Sequence, residues 1–201
     1  MKSLILVNII VFVLVELSGV KYPLFQNFGM VPSMIWDHLK LWQLVTYMFL
    51  HANFMHILIN MFVLWMFGSE LENRWGRSEF LKYYFITGIG AGLITAIFNF
   101  NSTIPVVGAS GAIYGLLLAY GLMYPNRKVY VYFFIPVKMK FLVIMLAAVA
   151  FFASLSPGAS PISHLTHLSG MVIGYIFLRS DFLTGFFRKS PKHSKAPSQS
   201  G

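Results

Sequence analysis

Six apolar segments constrain the fold of this chain more than any other feature of its sequence. They cover about residues 3–20, 53–68, 80–98, 106–124, 141–155 and 162–178. Several of them approach the ~20 residues that cross a bilayer as a helix. Hydrophobic residues fill 57% of the 201 positions and charged residues only 10%, a composition typical of membrane proteins. We therefore predict an all-α polytopic membrane protein with six transmembrane helices, forming one domain over residues 1–180.

The net charge of +9 arises from fifteen basic residues that are unevenly distributed over the connections. With the N-terminus placed in the cytoplasm, thirteen of them fall in inner segments and only Lys21 and Lys40 in outer ones. This asymmetry is the positive-inside pattern. It predicts cytoplasmic N- and C-termini and argues against nucleic acid as a partner. Residues 181–201 are predicted to form a basic, disordered cytoplasmic tail attracted to anionic lipid.

Two connections and one acidic residue of the first helix lead to further predictions. The first connection, residues 21–51, is long and apolar, so we predict that it lies in the membrane interface. Glu16, near the outer end of the first helix, is interpreted as an interfacial acid. The charged segment 70–77 is interpreted as a solvated turn with local ion pairs.

A lone serine stands between glycines in Gly108-Ala-Ser110-Gly111, at the start of the fourth segment. A helix from Ser110 to Tyr124 would be about 22 Å long against a hydrocarbon core of ~30 Å. Residues 104–109 must therefore complete the crossing, which predicts that Ser110 lies below the outer surface in a watered cavity enclosed by protein. Small-residue packing between helices is the competing interpretation of this motif.

Neutral polar side chains recur in the outer part of two other segments. The second contains His56 and Asn60, and the sixth contains His164 and His167. Imidazole, with an ordinary pKa of about 6.5, can take a serine proton, and an amide can stabilise developing negative charge. Together with the serine these residue types predict an acyl-transfer site, with no acidic third member visible near the histidines.

Repeated Gly-x-x-x-Gly patterns suggest how the serine meets a base. One runs from Gly111 to Gly115 and the other from Gly170 to Gly174, so we predict close packing of the fourth and sixth helices. Because His167 lies on the glycine face of the sixth helix, this packing would bring it to Ser110. His164 is the competitor for the role of base, but it lies further outward.

Each of these observations has an alternative explanation. An interhelical hydrogen bond would account for His56 and Asn60. His51, His56, His164 and His167 could instead bind zinc. The chain contains neither a His-Glu-x-x-His motif nor cysteine, so we predict no metal and no other cofactor.

At this point the motifs resemble those of the rhomboid family of intramembrane serine proteases, over essentially all of residues 1–178. The matching pieces are His51-Ala-Asn-Phe-Met-His56-Ile-Leu-Ile-Asn60-Met61, Glu72-Asn73-Arg74, Gly108-Ala109-Ser110-Gly111 with Tyr114, and His167-Leu-Ser-Gly170. The resemblance implies a six-helix rhomboid bundle with a membrane-inserted first loop. It also implies that Ser110 is the nucleophile and His167 the general base and then acid.

The same resemblance assigns supporting roles. His56, Asn60 and the Ser110 N–H would form the oxyanion site, and Tyr114 would stack on the catalytic histidine. His51, Gly108, Gly111 and Gly170 would support the site. The fifth helix with the loop at 156–161 would be the gate. Many relatives have Trp-Arg where this chain has Trp42-Gln43, so the anchoring of the first loop stays open.

The implied function is cleavage of single-pass transmembrane substrates near their outer end. The site would open outward from a multi-pass protein, which fits a minimal bacterial-type rhomboid in the plasma membrane. A rhomboid-like protein that binds transmembrane clients without cutting them is the main alternative. A transporter is disfavoured because paired intramembrane charges and an inverted repeat are lacking. The oligomeric state stays open.

Overall fold

The computed structural model of the chain describes residues 1–131, 134–155 and 161–180, and most of these residues are helical. The longer helices are α1 (Lys2–Ser18), α5 (Phe54–Val63), α7 (Arg77–Phe98), α8 (Ser110–Met123), α9 (Met139–Ser154) and α10 (Pro161–Arg179). The shorter ones are α2 (Lys21–Phe28), α3 (Pro32–His38), α4 (Gln43–Thr46) and α6 (Ser69–Trp75). A π-helical turn at Leu64–Gly68 joins α5 to α6, and a 3₁₀ turn at Tyr47–Phe49 follows α4.

Each of the six predicted apolar segments is a helix. The runs Phe54–Trp75 and Arg77–Phe98 are both long and apolar enough to cross a membrane. Ser110–Met123 and Met139–Ser154 are apolar but shorter. Helix α8 begins at Ser110, the start that the length argument took as its premise, and residues 104–109 are not helical.

The interpretation of segment 70–77 as a turn is wrong. Helix α6 continues to Trp75, and the chain breaks only at Gly76, whose φ is 82°. Arg74 in the last turn of the continuous helical run Phe54–Trp75 suits the helix dipole. The ion pairing is distant rather than local, because Glu70 pairs with Arg127.

The prediction of an all-α chain missed an antiparallel hairpin between α8 and α9. Its strands are β1 (Lys128–Val131) and β2 (Ile135–Lys138), with Lys128 opposite Lys138 and Tyr130 opposite Pro136. The strands contain valine, isoleucine and tyrosine, residues that favour extended structure. The hairpin lies at the end of α8 remote from Ser110.

The first connection folds back on itself, and Gln43 holds it from inside. This side chain is fully buried. Its Nε2 donates to the carbonyl of Gln26 at 2.9 Å, and its Oε1 accepts from the backbone N–H of Val31 at 3.0 Å. The amide thus joins the backbone of α2 to that of the residue preceding α3, which answers how the loop is anchored at this position. The placement of the loop relative to a membrane surface stays a prediction.

Glycines form the contact between α8 and α10. A Cβ atom on Gly170 would overlap with the carbonyl oxygen of Gly111, and one on Gly115 would lie 3.1 Å from the carbonyl oxygen of Gly170. Helix α7 closes this seam, since the Tyr83 hydroxyl donates to the carbonyl of Gly115 at 2.8 Å. The predicted close packing of the fourth and sixth helices is confirmed.

Candidate active site

Ser110 and His167 lie in hydrogen-bond contact, with His167 Nε2 2.8 Å from Ser110 Oγ. Ser110 is the first residue of α8, and His167 lies on α10 one turn before Gly170. The glycine seam brings the two backbones close enough for these short side chains to meet. Ser110 also belongs to the first helical turn, whose backbone N–H groups have no helical acceptor.

Tyr114 and His164 flank the His167 ring. The rings of Tyr114 and His167 stack with centroids 4.3 Å apart and an interplanar angle of 7°, so the predicted stack is confirmed. His164 meets His167 edge-on at 5.9 Å. It is His167, and not its competitor, that contacts Ser110. Within the described residues the buried Nδ1 of His167 has no hydrogen-bond partner.

Helix α5 directs two further polar side chains at Gly108. The Asn53 side chain caps α5 by accepting from the His56 N–H at 2.9 Å. A Cβ atom on Gly108 would lie 2.7 Å from His56 Nε2 and 3.7 Å from Asn60 Nδ2. Gly108 has a φ of 124°, and its N–H donates to the Tyr47 carbonyl at 2.9 Å. Only glycine combines this backbone conformation with the closeness of the imidazole.

A backbone contact favours one tautomer of His56. Its Nδ1 accepts a long hydrogen bond, 3.4 Å, from the backbone N–H of Ala52. A neutral imidazole that accepts at Nδ1 carries its proton at Nε2, so Nε2 is a donor. The buried Nδ2 of Asn60 is a second donor, and it is free of any partner in the part of the chain that the structure describes. Two donors thus converge on the backbone just before Ser110.

A small cavity of about 80 Å³ joins these groups. It is lined by Tyr47, His56, Val106, Val107, Gly108, Ser110, Ser163, Thr166 and His167. Its size leaves room for several water molecules beside the serine. Ser110 thus lines a cavity, as predicted, while its depth below the membrane surface and the water in the cavity stay predictions.

His51 lies behind His56, away from the serine. It is fully buried, and its ring meets that of His56 edge-on at 5.1 Å. Among the residues with described positions, neither of its ring nitrogens has a hydrogen-bond partner. No three His, Cys, Asp or Glu side chains of residues 1–131, 134–155 and 161–180 come together as a set of metal ligands.

The sequence did not reveal every residue around the cavity. Tyr47 supplies the carbonyl that holds Gly108, and its own hydroxyl donates to the Gly88 carbonyl at 2.6 Å. Thr166, next to His167, shares a buried hydrogen bond of 2.9 Å with Thr95 of α7. Thr166 stands one residue before the recognised histidine, but a threonine in an apolar helix is not by itself a signal.

Residues 38–182 match the family profile described as the Rhomboid domain. The chain is 32% identical over 171 residues to RHOMBOID-like protein 1 of Arabidopsis thaliana, covering 83% of this chain and 42% of that protein. It is 30% identical over 177 residues to Rhomboid protease GluP of Bacillus subtilis, covering 85% of this chain and 32% of that protein. Rhomboid protein 1, mitochondrial, of Saccharomyces cerevisiae is 31% identical over 136 residues, 64% of this chain and 38% of that protein. The chain spans less than half the length of each of these relatives.

Proposed function

The chain belongs to the rhomboid family, and from that premise and the geometry of the site we propose that it is an intramembrane serine endopeptidase. Its substrates are single-pass membrane proteins, cut within the transmembrane segment near the outer end. The observation that carries this proposal is the hydrogen bond between Ser110 Oγ and His167 Nε2. The family relationship and the relative named as a protease support it.

Acylation begins when Ser110 Oγ attacks the carbonyl carbon of the scissile peptide bond. His167 Nε2 takes the hydroxyl proton and later gives it to the leaving amine as the C–N bond breaks. The stacked Tyr114 ring restricts His167 to the plane in which Nε2 faces the serine. A dyad without a carboxylate relies on this packing to orient the imidazole.

The oxyanion formed in this step needs donors beside Ser110. His56 Nε2, Asn60 Nδ2 and the Ser110 backbone N–H are the proposed set. All three are neutral, so they stabilise negative charge without the cost of a buried cation. Gly108 keeps the path between these donors and the serine open, because any side chain there would meet His56.

Deacylation requires water inside the protein, and the cavity beside Ser110 supports this step. His167 removes a proton from a cavity water, whose oxygen attacks the acyl carbon. The new acid leaves as Ser110 Oγ regains its proton from His167. The enzyme therefore returns to its starting state without any external acid or base.

The proposed topology has six membrane crossings, formed by α1, α5 with α6, α7, α8, α9 and α10. The termini lie in the cytoplasm and the site opens outward, with the first connection inserted in the interface. The loop that completes the proposed gate, residues 156–160, lies outside the described residues, as does the predicted tail 181–201. A bacterial plasma membrane is the proposed location.

Substrate chemistry follows from the depth of the serine. A transmembrane helix hides its carbonyls in hydrogen bonds, so it must unwind at the cut. Helix-breaking residues below the cleavage position lower that cost. We therefore expect preferred substrates to combine small residues at the cut with glycine or proline deeper in the segment.

Cleavage of a single-pass model substrate in reconstituted vesicles tests the proposal. We expect Ser110→Ala and His167→Ala to abolish cleavage, because the nucleophile and its base act as a unit. His164→Ala is the matched control, since it removes a neighbouring imidazole from the same helix and should retain cleavage. Full cleavage by folded Ser110→Ala protein would refute the proposal. Binding of the substrate without any cutting would favour the client-binding alternative.

A further inference from the structure

The hairpin β1–β2 presents an unusual arrangement of charge. Lys128 and Lys138 are direct partners in its ladder, and both side chains are exposed. Like charges at opposed positions of an antiparallel pair repel each other. In the part of the chain that the structure describes, neither lysine forms an ion pair with a carboxylate. The two ammonium groups therefore lack a counter-charge from the described residues.

The adjacent arginine, Arg127, already interacts with side chains of the protein. Arg127 pairs with Glu70, and its guanidinium lies 5.8 Å from the Tyr120 ring centroid and 5.6 Å from that of Tyr124. The Tyr120 hydroxyl donates to the other oxygen of the Glu70 carboxylate at 2.8 Å. Glu70 is thereby occupied from two sides, which leaves Lys128 and Lys138 as the cations of the hairpin that face outward.

Apolar side chains stand beside these lysines. Tyr130 shares the hairpin face of Lys128 and is 63% exposed, and Phe134 at the connection of the strands is 85% exposed. Ile135, also exposed, begins the return strand. A surface that combines unpaired lysines with exposed aromatic rings suits the headgroup region of a bilayer, where rings contact acyl chains and ammonium groups contact phosphates.

The position of the hairpin agrees with this environment. It links two helices of a membrane protein, at the end of α8 that lies about 20 Å from Ser110. Backbone hydrogen bonds continue the ladder to its base, from Met139 N–H to the Arg127 carbonyl and from Lys140 N–H to the Pro125 carbonyl. The hairpin is therefore held close to the helix ends, and so to the membrane surface.

We propose that the hairpin is a binding site for an anionic phospholipid headgroup, held between Lys128 and Lys138. The lipid phosphate supplies the counter-charge that the ladder lacks, and Tyr130 and Phe134 pack against the upper acyl chains. This site lies at the opposite end of α8 from the peptide chemistry and requires only that the protein sits in a membrane. It gives the inner end of α9, the helix of the proposed gate, an attachment to lipid.

Native mass spectrometry of the full chain in neutral detergent, titrated with phosphatidylglycerol or phosphatidylcholine, tests the site. We expect bound phosphatidylglycerol in preference to phosphatidylcholine. Lys128→Gln with Lys138→Gln should weaken phosphatidylglycerol binding about 30-fold, since each lysine near an anionic surface contributes about fivefold. The Ser110→Ala protein should bind lipid like the wild type, which separates this test from that of proteolysis.

The matched control removes two charges from the same end of the molecule without touching the hairpin. Lys2 and Arg77 are exposed at the starts of α1 and α7. Lys2→Gln with Arg77→Gln should leave phosphatidylglycerol binding unchanged. Equal loss in both double variants, or wild-type binding by the hairpin variant, would overturn the proposal. Unchanged thermal unfolding of the hairpin variant would show that lost binding is not lost folding.

Discussion

Helices α10 and α9 both pack against α8, but the two contacts differ in kind. Toward α10 the contact is backbone on backbone, through Gly111, Gly115 and Gly170. Toward α9 a glycine faces a side chain, because a Cβ atom on Gly121 would lie 2.7 Å from Val143 Cγ2. A backbone carbonyl cannot rotate away from an added methyl group, whereas the Val143 side chain can change its rotamer. The seam that carries Ser110 and His167 is thus the rigid one.

The burial of α8 and α9 also indicates that the contact with α9 is the weaker one. Helix α8 is buried along most of its length, while α9 buries only Met139, Val143 and Ala150. Large apolar side chains of α9 face outward, namely Phe141, Ile144, Met145, Val149, Phe151 and Phe152. A helix with few buried contacts is displaced at lower cost than one locked in a glycine seam. This difference supports α9 as the moving part and α10 as the fixed part.

The largest effect is expected at the rigid contact. Gly170→Ala places a methyl group on the Gly111 carbonyl, so α10 must move outward and His167 moves with it. A shift of about 1 Å in a catalytic group can cost 100-fold in rate. We expect cleavage to fall by about that factor, measured as initial rate in vesicles.

Gly121→Ala is the matched control for that substitution. Both changes give the same gain in helix propensity, so their difference isolates the packing. Val143 can rotate, and we expect Gly121→Ala to retain cleavage within a few-fold. Equal losses of cleavage rate in the two variants would contradict the claim that the α8–α10 contact is more rigid than the α8–α9 contact.

Tyr114→Ala should have the next largest effect. An aromatic pair is worth about 0.5–1.5 kcal/mol beyond its buried area, so the orientation of His167 should loosen and kcat should fall about 2- to 13-fold. Tyr114→Phe retains the ring and should stay close to the wild type. A raised KM with unchanged kcat would show that Tyr114 contacts the substrate and does not orient His167.

A smaller effect of the opposite sign is expected on the α9 side. Val143→Ala removes the side chain that meets Gly121, so α9 should separate from α8 more often and cleavage should rise a few-fold. The lipid-facing Ile144→Ala serves as the control, since Ile144 is 63% exposed. Reduced cleavage by folded Val143→Ala protein would contradict the assignment of α9 as the moving helix.

The smallest effect concerns α7. Tyr83→Phe removes the hydroxyl that donates to Gly115 in the seam, which should lower the free energy of unfolding by about 1 kcal/mol. Tyr84 is the natural control. Its hydroxyl is buried and, within the described residues, without a partner, so Tyr84→Phe should be neutral or stabilising. Reversible unfolding in mixed micelles would measure both, and a larger loss for Tyr84→Phe would contradict the contact assigned to Tyr83.

The sequence predicted the seam well because glycine spacing and the length of the fourth segment are local signals. Ser110, His167 and Tyr114 met as expected. The hairpin was missed because the sequence of its two short strands looks like that of an ordinary charged loop between two apolar helices. Segment 70–77 was interpreted as a turn because its opposite charges could pair locally. The sequence does not show that Glu70 instead pairs with Arg127, on a distant part of the chain. Tyr47 was missed because its role depends on backbone carbonyls, which sequence does not reveal.

Gln43 illustrates a different limit. The resemblance identified a departure from the expected arginine, and no pattern in the sequence could say what replaced it. The structure shows a buried amide that satisfies backbone groups of Gln26 and Val31. An amide can both donate and accept, while a guanidinium only donates, so an arginine here could not accept from the Val31 N–H as Gln43 does.

The central claim is that Ser110 is a nucleophile activated by His167. Labelling of the reconstituted protein with a fluorophosphonate, followed by peptide mapping by mass spectrometry, tests it most directly. We predict one adduct, on Ser110, which His164→Ala retains and His167→Ala loses. A folded wild-type protein that carries no adduct on Ser110, or one that carries it equally well without His167, would contradict the claim.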